Sequence, residues 1–537
     1  MESLEHVAKR ARQRRGGTFS YHEAAQCLKQ GPCTLDEYAG WQSSTLSEIL
    51  GTGDPGAARR ARIGSLLSAG LVFHSDCTGR CTVETMLLML GRSLQKCGVE
   101  LREDWLALWR GCDVLAASRE AMMSASPGPI HVFKSVWDYI PAEHLAKLRS
   151  KKVAEDASNA DKAAAHVDMR RYLKKHGRDI FKPTATCGQC LKHPGKNCNI
   201  SFQNPDGIRP CERPLRVCIQ GFPCLPWTQL GSKLGDAHDI IPVADVCVQM
   251  QAASNFDLLG VENSEHYPVQ HFMDELPEKY AVRAISFGPE DVGFPARRRR
   301  RLIAALNQDT LIWIGPATAH ETEMEFLSLL ARSVQLEADD FLIDSRSERM
   351  KILRQFAKAR GMYGDDDALE ALPLDALLPP GQVAILQRYR EIYRSEAHMV
   401  GARGSFVADI SQDPDARIRC GAWFPAIARG PILVSISAGD KVFTNREIDF
   451  AMGFPSFEYP SNKHLFEICP DVSNLERTAY TKLMGNGMHM ASMMLFWAYI
   501  LANCVRRDSV EAWRPELPWK AADSRPPEKR DADPNAS

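Results

Sequence analysis

The chain has 537 residues, of which 44% are hydrophobic and 25% charged, ordinary globular values on a length that accommodates two or three domains and a full α/β core. Its 66 Lys and Arg against 67 Asp and Glu leave a formal net charge of −1, which excludes a global polyanion-binding signature and confines nucleic-acid contact to local patches such as "KRARQRR" (9–15) and "RRRRR" (297–301). Sixteen cysteines behind a polar N-terminus read as reduced thiols in an intracellular compartment.

Residues 1–62 are polar, with one helical stretch at "TLDEYAGWQSSTLSEIL", and are expected to form an N-terminal extension. From Leu71 the pattern changes: "GLVFHSDCTGR" is a short apolar run that ends in a turn around Gly79, and "TVETMLLMLGRSLQKCG" follows at helical spacing. Strand, glycine turn and helix predict the first unit of a doubly wound α/β sheet, in which ligands sit beyond the carboxyl ends of the strands. "CDVLAASREAM" and "IHVFKSVWDYI" continue it, residues 141–212 interrupt it with charge and cysteines, and "LRVCIQGFPC" resumes it. "FDLLGVENSEHYP" and "AVRAISFGPEDVGFPARRRRRLIAALN" complete a domain over 63–310. Residues 311–475 shift to mixed helices with acidic and Pro-rich breaks, a second, smaller domain; 476–506 return to the first, and 507–537 have the composition of a disordered tail. "MHMASMMLFWAYILANCV" carries His489, Ser492 and Asn503 and is expected as a buried core helix rather than a membrane span.

"GFPCLPWTQLG" (221–231) presents Cys224 after a strand, between Pro223 and Pro226. Prolines restrict the loop, but a displayed thiol is equally a structural cysteine until something activates it. Thirty-eight residues on, Glu262 and Asn263 end a strand. As far again, Arg298 and Arg300 are spaced to share one face of an extended segment. A thiol, a carboxyl and a guanidinium in one cleft form a set suited to attacking an electron-poor ring.

In this order the motifs resemble those of the cytosine carbon-5 methyltransferases. "GFPCLPWTQLG" is similar to the family's Pro-Cys loop, "LLGVENS" to its Glu-Asn-Val motif, and "VGFPARRRR" to its Gly-x-Pro-Gln-x-Arg-x-Arg motif. "KVFTNREIDFAMGFP" (441–455) and "KLMGNGMHMASMMLF" (482–496) resemble its last two. The resemblance implies a Rossmann-like methyltransferase sheet with a target-recognition domain. It also implies Cys224 as nucleophile, Glu262 and Arg300 on the flipped base, and Arg298 beside them. The cofactor implied is S-adenosylmethionine, and the partner double-stranded DNA. Leu225, Ser264 and Ala296 depart from the pattern at a glutamine, a valine and a glutamine.

The cofactor side fits more loosely. "FHSDCTGRCTVE" aligns Gly79 with the family's turn glycine, which puts Ser75 at its acidic position and Cys77 at its phenylalanine, with Asp76 as the nearby carboxylate. Glu120 is expected at the ribose, Asp138 or Ser135 near adenine, and Asn486 and Met488 beside the cofactor. Cys187, Cys190, His193 and Cys198 in the insertion have a spacing that suits a structural zinc or a polar loop with incidental thiols. Thr228 is similar to the transfer-RNA-modifying branch, so tRNA is an alternative substrate; a silent nucleic-acid-binding relative is a third reading. The run at 9–15 is consistent with nuclear import.

Overall fold

Alternation of period two explains the strand Arg300–Asn307, in which Leu302, Ala304 and Leu306 join one buried cluster and Ile303 and Ala305 another on the opposite face. A strand covered on both faces belongs to the centre of a three-layer α/β domain. The computed structural model describes residues 29–204, 208, 212–227, 234–415, 419–427, 430–468 and 475–509; the basic run at 9–15, Thr228 and most of the expected tail lie outside them.

The central sheet has seven strands: β1 (Leu71–Asp76), β2 (Leu106–Cys112), β3 (His131–Phe133), β4 (Leu215–Gln220), β5 (Leu258–Ser264), β6 (Tyr280–Phe287) and β7 (Arg300–Asn307). Their spatial order is β3-β2-β1-β4-β5-β7-β6. The first five are parallel, and β7 runs antiparallel to both neighbours. The order reverses between β1 and β4, which is the switch point where an open α/β sheet leaves its ligand crevice. This is the doubly wound sheet expected from the sequence.

One face is covered by the helices α1 (Leu35–Leu50), α2 (Gly53–Leu67), α3 (Thr82–Lys96) and the apolar 490–502 segment, the other by α4 (Asn159–Ile180) and α5 (Ile241–Ala253). α1 and α2 therefore belong to the core rather than to a separate extension. Tyr38 packs edge-on against Phe294, Phe341 and Phe450, and its hydroxyl donates to the Phe450 carbonyl at 3.1 Å. The helix Met490–Ala502 is wholly buried, and no helix among the described residues is long and apolar enough to cross a membrane.

Chain 311–330 also stays with the first domain: Leu311–Trp313 pairs with Cys504–Arg506, and Ala319–Leu330 packs on β6. The smaller domain gathers its own core from Ile352, Leu386, Tyr389, Phe406 and Val434, around a four-stranded antiparallel sheet within 407–442. It meets the first domain beside the arginine run, where Arg297 N donates to Phe424 O and Phe424 N to Pro295 O, both at 2.9 Å.

Candidate active site

The reversed direction of β7 assembles the site. Because β7 is antiparallel to β5, its first residue lies opposite the last residue of β5, with Arg300 facing Ser264 and Leu302 facing Glu262. Arginines that precede β7 are thereby delivered to the carboxyl edge where β5 ends. Arg300 Nε lies 3.0 Å from Glu262 Oε1, yet that buried oxygen accepts no aligned hydrogen bond.

The Cys224 loop is held from the same strand end. Asn263 Nδ2 donates to Phe222 O at 3.3 Å, Ser264 Oγ to Trp227 O at 3.3 Å, and Trp227 N closes the turn on Cys224 O at 2.9 Å. Ser264, where the motif it resembles has valine, thus makes a hydrogen bond that valine cannot. Phe222 and Trp227 both pack edge-on against Tyr267. Burial raises the Cys224 thiol above its usual range; the Arg300 charge pulls it down and Glu262 pushes it back up. Cys224, Glu262 and Arg300 are therefore electrostatic neighbours.

Arg298 is spent elsewhere. Its guanidinium donates to Ile427 O at 2.9 Å and to Gly487 O, tying the smaller domain and the segment before the last helix to the site. Burial, then the Arg300 charge, lower its pKa to about 9. It keeps its proton at neutral pH while binding these carbonyls and that of Gly485 at 3.4 Å, which makes it a positioning group.

The cofactor side differs from expectation residue by residue. Gly79 does occupy a left-handed turn, φ +63°, and a Cβ there would meet the Asn486 carbonyl at 2.8 Å, so the position requires glycine. Met488 closes on Gly221. Ser75 donates to Glu84 and to Arg110 O, however, and Asp76 accepts from Arg110, Tyr139 and Gln220 inside the sheet. Cys77 is turned against Cys247. The Asp138 carboxylate caps its own turn by accepting from Ser135 N at 3.0 Å. Glu120 is exposed on the helix Ala116–Ser124, along a groove of about 520 Å³ shared with Glu84 and Glu467.

The carboxylate beside the Gly79 turn is instead Asp113, the residue directly after β2. It accepts from Gly79 N at 3.0 Å and Leu115 N at 2.8 Å, and burial raises its pKa. The Ser118 side chain also hydrogen-bonds it, and a carboxylate has about four lone-pair sites, which leaves acceptor capacity for a hydroxyl. Val114, next in the chain, is 71% exposed and offers an apolar face to a ring. This donor set fits a nucleoside-bearing cofactor at the switch point. The signal was available in "LALWRGCD", an apolar run ending in an acid.

The expected metal set is also rearranged. Cys190, His193 and Cys198 come together, but the fourth member is His131 of β3, whereas Cys187 donates its thiol to Asp138 O at 3.0 Å.

No protein-family model and no curated protein matches the sequence. Among solved structures the chain is similar to a variant of Spodoptera frugiperda DNMT2, at 12% identity and a TM-score of 0.34 over 80% of this chain and 99% of that one. It is also similar to the S. pombe Dnmt2 methyltransferase, at 10% identity and 0.38 over 80% and 98%. A putative DNA modification methyltransferase of an E. coli prophage gives 10% and 0.35 over 81% and 98%.

Proposed function

We propose that this chain transfers a methyl group from S-adenosylmethionine to carbon 5 of a cytosine in duplex DNA, through a covalent bond between the base and Cys224. The observation that carries this reading is the convergence of Cys224, Glu262 and Arg300 at one sheet edge, with Arg300 Nε 3.0 Å from Glu262 Oε1 and both charges acting on the Cys224 thiol.

A stacked cytosine hides both faces of its ring, so the base must leave the helix, at a cost of a few kcal/mol. Cys224, as thiolate, adds to carbon 6. Glu262 donates a proton to ring nitrogen 3, which in cytosine is an acceptor, and Arg300 holds the ring carbonyl, so that charge is stabilised where it develops. Bound S-adenosylmethionine supplies an electrophilic methyl to the activated carbon 5. Asp113 holds a hydroxyl of its ribose, Val114 packs on its adenine, and the Gly79 turn lets the backbone approach. Water then takes the carbon-5 proton, the freed electron pair re-forms the ring double bond and expels the Cys224 sulfur as thiolate, and nitrogen 3 returns its proton to Glu262.

The test is transfer of labelled methyl to duplex DNA, with tRNA in parallel and Cys224→Ala as control. Label in DNA cytosine that disappears in Cys224→Ala is expected. Label in tRNA alone would move the substrate to RNA, and label in neither would contradict the proposal.

A further inference from the structure

The insertion after β3 returns to the sheet through a short hairpin, Thr186–Cys187 with Cys198–Asn199. β3 is an edge strand of the seven, and the loop between the hairpin strands, a knuckle over 188–197, covers part of it: Leu191 N donates to Val132 O at 2.8 Å. Edge strands are ordinarily blunted or covered. Here the cover brings two thiols and a second imidazole onto His131.

The ligand atoms of His131, Cys190, His193 and Cys198 all lie within 4.8 Å of one another, three of the residues being buried and His193 partly so. His131 Nδ1 stands 3.2 Å from His193 Nδ1, and Cys190 Sγ stands 3.8 and 3.5 Å from these two nitrogens. A tetrahedral zinc with Zn–N of about 2.05 Å and Zn–S of about 2.3 Å requires edges of about 3.3 Å between nitrogens and about 3.6 Å between nitrogen and sulfur. The three edges among His131, His193 and Cys190 already have those dimensions, and Cys198 Sγ lies within 4.8 Å of each. Two facing Nδ1 atoms make at most one hydrogen bond between neutral rings, whereas a cation takes both lone pairs.

We propose that His131, Cys190, His193 and Cys198 form a structural Cys2His2 zinc site that clamps the insertion to the edge of the catalytic sheet. Four protein ligands leave no open position, which distinguishes a structural from a catalytic zinc. The two thiols bind as thiolates and release their protons to solvent on metal uptake. His131 is contributed across 59 residues of chain from Cys190, so the metal crosslinks β3 to the knuckle instead of closing one local loop. Cys187 stays outside the set and, through its thiol on Asp138 O, links the knuckle to the turn after β3.

The test is metal analysis of the full-length protein after extensive dialysis, followed by cobalt exchange. About one zinc per chain is expected. Cobalt should give the intense visible bands of a tetrahedral site together with sulfur-to-metal charge transfer from two thiolates. His131→Ala and Cys198→Ser should each reduce bound zinc at least tenfold, and Cys187→Ser should leave it unchanged. If the substituted chains do not fold, the cobalt spectrum of the unaltered protein still decides. A metal-free protein that takes up no zinc, an octahedral or thiolate-free cobalt spectrum, or zinc retained in His131→Ala and lost in Cys187→Ser would overturn the site.

Discussion

Two carboxylates sit at carboxyl ends of strands in the same sheet, each beside an arginine, and they behave oppositely. Asp76, at the end of β1, accepts from Tyr139 at 2.7 Å and from Arg110 and Gln220 at 2.9 Å; both members of its ion pair are fully buried. Glu262, at the end of β5, has an arginine at 3.0 Å and an oxygen with no aligned donor. The Asp76 carboxylate is tied into the sheet by three side-chain donors, whereas the Glu262 carboxylate meets Arg300 beside a thiol on which both charges act. Position at a strand end is common to both, so the neighbours of each carboxylate, not its position, distinguish them: Arg110, Tyr139 and Gln220 around Asp76, Arg300 and Cys224 around Glu262.

Substitutions should divide along that line. The largest effect is expected from Cys224→Ala, which should lower methyl transfer by about 10³-fold or more with an unchanged melting temperature; retained activity would remove the nucleophile from the account. Glu262→Gln should lower kcat by about 10²–10⁴-fold, again with little change in stability. Asp76→Asn should do the reverse: leaving Arg110 buried without its counter-charge costs about 3–5 kcal/mol in a denaturant titration, and a stable but inactive Asp76→Asn would break the distinction.

The smaller effects are graded. Because burial holds the Cys224 thiol above its ordinary range, the thiolate fraction is small at neutral pH and adduct formation should accelerate about tenfold per pH unit between about pH 6 and 8. Arg300→Met, by removing the charge that lowers this thiol, should displace the rise to higher pH; a flat profile in the unaltered protein would sharpen the question of what deprotonates Cys224. Asp113→Ala should raise KM for S-adenosylmethionine about tenfold with a smaller change in kcat, whereas Glu120→Ala should change neither measurably.

The neighbours Cys224, Glu262 and Arg300 were legible in the sequence because each lies in a short motif at a strand end, where local pattern and sheet topology agree. Arg298 was legible as a position but not as a role: its partners, Ile427 and Gly487, lie more than a hundred residues away. Asp113 was missed for the later Glu120 because the end of β2 was placed too loosely, and one strand boundary decides which carboxylate meets the Gly79 turn. His131 could not be found by spacing, since its partners approach it through folding of a long insertion. α1 and α2 read as an appendage because Tyr38, Trp41 and Leu46 find their apolar partners in the rest of the fold.

The central claim is that Cys224 bonds covalently to a cytosine gripped by Glu262. The direct measurement is mass spectrometry of the protein incubated with S-adenosylmethionine and duplex DNA that carries 5-fluorocytosine, whose carbon-fluorine bond blocks release of the sulfur. The account predicts a DNA adduct mapped to Cys224, absent in Cys224→Ala and strongly slowed in Glu262→Gln. No adduct with either DNA or tRNA of this kind, or an adduct that survives Cys224→Ala, would contradict it.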